Sequence, residues 1–142
     1  MTRAAPPMLA IATLDLPWPP SVNAYWRHTV VNGRPRTFTT HAAKKYREAT
    51  GLIWANRPAL LGSIHLELTT HAPTKRRYDL DNIGKAVLDA LDAAGVYGDD
   101  SQVDDLRVVR GACEGKPGRV VARVSASPAE QGSGAGLWKG DA

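Results

Sequence analysis

The sequence predicts an α+β (mixed α/β) domain in which strands pack with two main helices, and three observations carry that reading. Two stretches, 40–55 and 82–95, place apolar residues at helical spacing. Four others, 9–16, 64–72, 102–112 and 119–125, are rich in the apolar and β-branched residues of strands. The length, 142 residues, is that of one domain with one core.

In chain order, a strand over Leu9 to Leu16 is expected to break at Pro17-Trp18-Pro19-Pro20, where proline removes backbone donors and fixes φ. Asn32-Gly33 favours a type I′ hairpin turn, with Pro35 limiting how far the returning strand pairs. Thr39 or Thr40 caps a helix running to about Ala55, with Ala42, Tyr46, Ala49 and Ile53 on its buried stripe and Pro58 forbidding continuation. Ile64, Leu66 and Leu68 alternate with His65, Glu67 and Thr69 as in a half-buried strand ending near Ala72-Pro73. From Asn82 a helical stripe of Ile83, Ala86, Val87, Ala90, Leu91 and Ala94 runs to Gly95, weakened by Gly84. Two last strands flank a turn at Gly115-Lys116-Pro117-Gly118. The expected division is a flexible N-terminus over 1–8, the domain over 9–126 and a flexible Gly/Ser/Ala-rich tail over 127–142.

Composition excludes several classes. At 43% hydrophobic and 23% charged the chain fits neither a disordered polymer nor a membrane protein, and no apolar run approaches the roughly 18 residues a bilayer needs. Without an export signal, and with Cys113 the single cysteine, a reducing cytoplasm is the expected compartment and a cysteine zinc site is excluded. The net charge of +4 is segregated: residues 1–78 carry +8, residues 79–105 carry −7 and the remainder +3. Such a pattern fits a polyanion-binding surface with an acidic pocket set into it, or else a solvated acidic face on a mildly basic protein.

The chemistry concentrates in Lys75-Arg76-Arg77-Tyr78-Asp79-Leu80-Asp81-Asn82 and in Gly98-Asp99-Asp100-Ser101-Gln102-Val103. If residues 79–81 are extended, Asp79 and Asp81 point to one side and Leu80 to the core. Two carboxylates sharing a site repel unless a cation lies between them. Oxygen donors without imidazole favour Mg²⁺, with Mn²⁺ possible, over zinc. Of Asp99 and Asp100, adjacent and so facing opposite ways, one serves as ligand while the other orients it or meets solvent. Lys85, one helical turn beyond Asp81, pairs with it or neutralises a phosphate oxygen. The spacing fails as a calcium loop, since Ile83 and Ala90 stand where ligands are required. His28, His41, His65 and His71 show no metal-ligand spacing. Lys75, Arg76 and Arg77 beside the acids, and Arg27, Arg34, Arg36, Lys44 and Lys45 elsewhere, are candidate phosphate contacts. Trp18, Tyr25, Trp26 and Trp54 are read as packing residues of core or interface rather than base stackers.

Three blocks together resemble the RusA endodeoxyribonucleases, which resolve Holliday junctions: Leu16-Pro17-Trp18-Pro19-Pro20-Ser21-Val22-Asn23, then Arg77-Tyr78-Asp79-Leu80-Asp81-Asn82-Ile83-Gly84-Lys85 with Asp89-Ala90-Leu91, then Gly98-Asp99-Asp100-Ser101-Gln102-Val103. The resemblance implies a homodimer of mixed α/β fold, in the form of a single two-layer domain. It also implies that Asp79, Asp81 and Asp100 hold the catalytic metal and that Lys85 assists catalysis. Asp99 and Asn82 are then supporting residues around that centre. Tyr78, where some members have Arg, and Gly84, where relatives have a longer residue, depart from the pattern. The expected activity is Mg²⁺-dependent cleavage of four-way DNA junctions by paired symmetric nicks through an activated water. The open alternatives are a non-catalytic DNA-binding protein with a structural or vestigial metal site, and a nuclease for other branched DNA.

Overall fold

Alternation along Ile64, Leu66, Leu68 and Thr70 buries one face of a strand, and the computed structural model, which describes residues 9–128, 130 and 131, builds its core around that face. The strand is β4 (Ile64–His71), central in a four-stranded sheet with β1 (Leu9–Pro17), β5 (Val103–Arg110) and β6 (Arg119–Ala126) in the order β1-β6-β4-β5. β6 runs antiparallel to both neighbours, whereas β4 and β5 are parallel, so the sheet is mixed. Parallel neighbours need a crossover connection, here α3 (Leu80–Ala93).

Helix α3 buries Ile83, Ala86, Val87, Ala90 and Leu91, the stripe expected from spacing. It starts two residues earlier than expected because Asp79, extended at φ −95°, caps it and accepts from the Asp81 N–H. Gly84 has a packing reason: a Cβ there would stand 3.0 Å from Val108 Cγ2 on β5. The second layer is completed by α2 (His41–Trp54), capped by Thr40. Its buried residues are Ala43, Tyr46, Thr50 and Trp54; of the expected stripe Tyr46 is buried, whereas Ala42 is exposed and Ala49 and Ile53 are half-buried. The stripe rotates so that Trp54, the largest fully buried side chain, enters the core, and Thr50 is tolerated because its hydroxyl donates to the Tyr46 carbonyl.

Before α2, the short α1 (Val22–Tyr25) leads into a separate hairpin of β2 (Trp26–Val31) and β3 (Arg34–Thr39). Asn32 and Gly33 adopt φ of 52° and 75°, as a type I′ turn requires. Pro35 does not shorten the pairing, which extends to Trp26 opposite Thr39. Val31 and Arg34 flank the turn as a hydrogen-bonded pair, so Pro35 opposite Val30 falls where no donor is needed. All of β3 is exposed, Phe38 at 46% included, and the hairpin projects as an arm.

The expected flexible N-terminus and residues 129 and 132–142 of the expected tail lie outside the described residues. The described start of that tail is docked: the Gln131 amide bonds both the N–H and the carbonyl of Leu61. No helix among the described residues is long and apolar enough to cross a membrane.

Candidate active site

The loop that leaves β4 carries Lys75, Arg76 and Arg77, all exposed, and delivers Asp79 and Asp81 to the N-terminus of α3. Tyr78 anchors this loop. Its hydroxyl bonds Thr70 Oγ1 at 2.8 Å, and Arg110 donates to its carbonyl at 3.2 Å while the guanidinium lies 4.2 Å from the ring centre. Residues 79–81 are not a continuous extended segment, as Asp81 already lies in the first helical turn. Asp79 nevertheless reaches the start of the helix, its Oδ1 accepting from the Asp81 backbone N–H at 3.1 Å. Both are exposed at the positive end of the helix dipole, where anions are favoured.

Asp100 lies elsewhere in the chain's fold. It opens a short 3-10 turn, Asp100–Gln102, that leads into β5. Because β4 and β5 are parallel, the loop leaving β4 and the loop entering β5 lie at opposite ends of the strands. Helix α3 spans that gap, about 21 Å for its 14 residues. At the far end Asp100 stands near Asp92, whose carboxyl is raised above the usual range first by burial and then by the charges of Asp100, Asp99 and Asp89. Asp99 is fully exposed, its carboxyl held low by the hydroxyl of Ser101. Gln102 locks the loop: its Oε1 accepts from the N–H groups of Gly98 and Asp99, and its Nε2 donates to the carbonyls of Leu60 and Gly62. Among the described residues no group of three Asp, Glu, His or Cys side chains is placed to hold a metal. The donor chemistry of the Asp79–Asp81 pair still fits a hard cation, since Mg²⁺ keeps several waters and takes one or two carboxylates.

Lys85 is exposed on α3, its ammonium 4.9 Å from the centre of the Trp26 ring at the base of the hairpin. Among the described residues it makes no ion pair with Asp81. Asn82 is exposed one position beyond Asp81 and lines, with Asp79, a cavity reaching back to Trp18. Arg27, Arg34 and Arg36 are exposed on the arm, and Lys44 and Lys45 on α2. Tyr25 and Trp54 are fully buried, and the half-buried Trp18 and Trp26 pack against the core clusters, as expected of packing residues.

Sequence reasoning placed Asp89 in a block of the resemblance but gave it no role. Its carboxylate takes a bidentate pair from Arg47 of α2, at 2.7 and 2.9 Å, and the hydroxyl of Tyr25 at the end of α1. Burial, then the bond to Asp89, raises the Tyr25 phenol beyond its ordinary range. The available signal was an acid set beside the apolar stripe of α3, next to Ala90.

Residues 17–125 match the family model described as Endodeoxyribonuclease RusA. Similar curated proteins include the crossover junction endodeoxyribonucleases RusA of Escherichia coli, 41% identical over 101 residues, and of Shigella sonnei, with the same identity and span. These alignments cover 69% of this chain and 81% of each relative. The crossover junction endodeoxyribonuclease of Enterobacteria phage 82 is 40% identical over 100 residues, 68% of this chain and 80% of its own. The chain is a nuclease and belongs to the endodeoxyribonuclease RusA family.

Proposed function

We propose that this protein resolves four-way DNA junctions as a homodimer in which each cleavage site combines Asp79 and Asp81 of one subunit with Asp100 of the other. The observation that carries the reading is the exposed carboxylate pair at the N-terminus of α3, flanked by Lys75, Arg76 and Arg77. A divalent cation held by these carboxylates, Mg²⁺ or Mn²⁺, would supply a water acidic enough to attack near neutral pH and would offset charge developing on the phosphate. The chain's residues do the rest. The basic triplet draws the strand's phosphates toward the carboxylates, and Lys85, released from Trp26, offers its ammonium to the phosphate or leaving oxygen.

Charge complementarity supports the dimer. The N-terminal end of α3 is flanked by Lys75, Arg76 and Arg77, with Lys85 in its second turn, and its C-terminal end by Asp92, Asp99 and Asp100. Two copies laid antiparallel about a twofold axis match each basic end to an acidic one, an isologous arrangement that makes two equivalent sites. A four-way junction has the same approximate symmetry, so two sites suit paired nicks.

Incubating a labelled four-way junction with Mg²⁺ and with EDTA tests the activity. Cleavage is expected in the first only, and Asp81→Asn should bind the junction but not cut it. Wild-type cutting by Asp81→Asn would refute the assignment. Binding without Mg²⁺-dependent cleavage by the wild type would favour the non-catalytic reading, and preference for flaps or plain duplex in the same assay the other nuclease reading.

A further inference from the structure

Beside Asp79 lies a cavity of about 340 Å³, within the range of small-ligand pockets. We propose that it is a slot for one unstacked nucleobase of the strand being cut, which makes Trp18 a substrate-positioning residue; this rests on the nuclease reading above. Its lining includes Trp18, Pro19, Pro20 and Tyr78 together with the polar side chains of Ser21, Asp79 and Asn82.

The choice of occupant follows from chemistry. Trp18 and Tyr78 meet edge to face, centroids 5.1 Å apart and planes at 87°. In that geometry at least one ring has neither face covered by the other. Tyr78 is held rigid by Thr70 and by the Arg110 guanidinium, so the wall is formed before any ligand arrives. Pro19 and Pro20 carry no N–H, so this stretch can line an apolar slot without leaving backbone donors unpaired. Such a surface suits the face of a base, which stacks on aromatic rings irrespective of sequence. The Asn82 amide is both donor and acceptor, a match for a base edge. Exposed Arg77, which also lines the cavity, supplies charge for the phosphate that travels with the base. The slot opens beside the Asp79 carboxylate, so the occupying base belongs to a nucleotide adjoining the cleaved phosphate. A branch point supplies such a base cheaply, because stacking is already interrupted there.

The experiment scans abasic residues through the positions flanking the nick in a four-way junction and measures cleavage by wild type, Trp18→Ala and Trp18→Phe. One abasic position should slow the wild type roughly tenfold, the loss of a single base–aromatic contact. Trp18→Ala should be slow on the intact junction and indifferent to that lesion, and Trp18→Phe should restore both rate and sensitivity. Uniform tolerance of abasic residues by the wild type would overturn the proposal. So would a Trp18→Ala defect that simply adds to the lesion's, which is what a merely structural tryptophan produces. A parallel arm in EDTA places 2-aminopurine at each position and follows its fluorescence on binding. A change confined to one position in wild type and lost in Trp18→Ala supports the slot even if no strand is cut, and its absence rejects the slot even if cleavage is normal. If Trp18→Ala weakens binding while no single position responds, the wall contacts the sugar–phosphate backbone or a second copy of the chain, and the base slot is wrong.

Discussion

Asp89 ties three elements together through one carboxylate, and its neighbours show which residue roles can be read locally. Its side chain is about 30% exposed and that of Arg47 31%, so solvent weakens the pair, but the bidentate geometry and the Tyr25 bond hold it in one place. Asp89→Ala is expected to cost about 1–2 kcal/mol of stability, measured by urea denaturation. An unchanged midpoint would mean that the α1–α2–α3 contact stands on apolar packing alone. The Asp89 partners lie 42 and 64 residues away in the chain, beyond any local pattern. The Thr40 cap was legible because its acceptor bond, to the Ala43 N–H, spans three residues. The Asp79 cap is just as local, a carboxylate two residues before the backbone N–H it accepts from, but the expectation of an extended 79–81 segment hid it.

At the scale of elements, Thr40 both starts α2 and closes the arm, since its hydroxyl also donates to the Ala24 carbonyl and its N–H to that of Tyr25. Thr40→Ala should therefore cost about 1 kcal/mol or more, read as a lower thermal midpoint. The arm is expected to contact DNA rather than to stabilise the fold. Because Arg34 and Arg36 lie on a strand with no buried residue, replacing both with Ala should leave the thermal midpoint within error. Junction affinity should fall, and the slope of log affinity against log salt should shrink by roughly 2, in fluorescence anisotropy at several salt concentrations. An unaltered slope would remove the arm from the DNA interface. Element boundaries were close to legible, while faces were less so. The α2 stripe was misplaced by one residue because spacing alone ranks Ala42 and Ala43 equally, and only the position of the sheet decides which of them turns inward.

For the whole molecule, the separation of Asp100 from Asp79 and Asp81 makes a test of assembly possible. Asp79→Asn and Asp100→Asn homodimers should both be inactive. Mixing them should restore nicking of one strand, because a mixed dimer holds one site with all three carboxylates intact. If each site belonged to a single subunit, both sites of a mixed dimer would be damaged and mixing would restore nothing. Single-strand nicks on a labelled junction distinguish the two outcomes.

The candidate site residues, the two helices, the hairpin turn and the segregation of charge could all be read from the amino-acid order, because each depends on neighbours a few positions away. Tertiary structure alone decided that β4 and β5 run parallel, and therefore that a helix some 21 Å long separates two acidic motifs brought together on paper. It also decided that Trp18 and Tyr78 enclose a cavity beside one of those motifs. Such outcomes depend on the direction in which distant strands pair, a choice made by burial across the whole sheet rather than by any one stretch of chain.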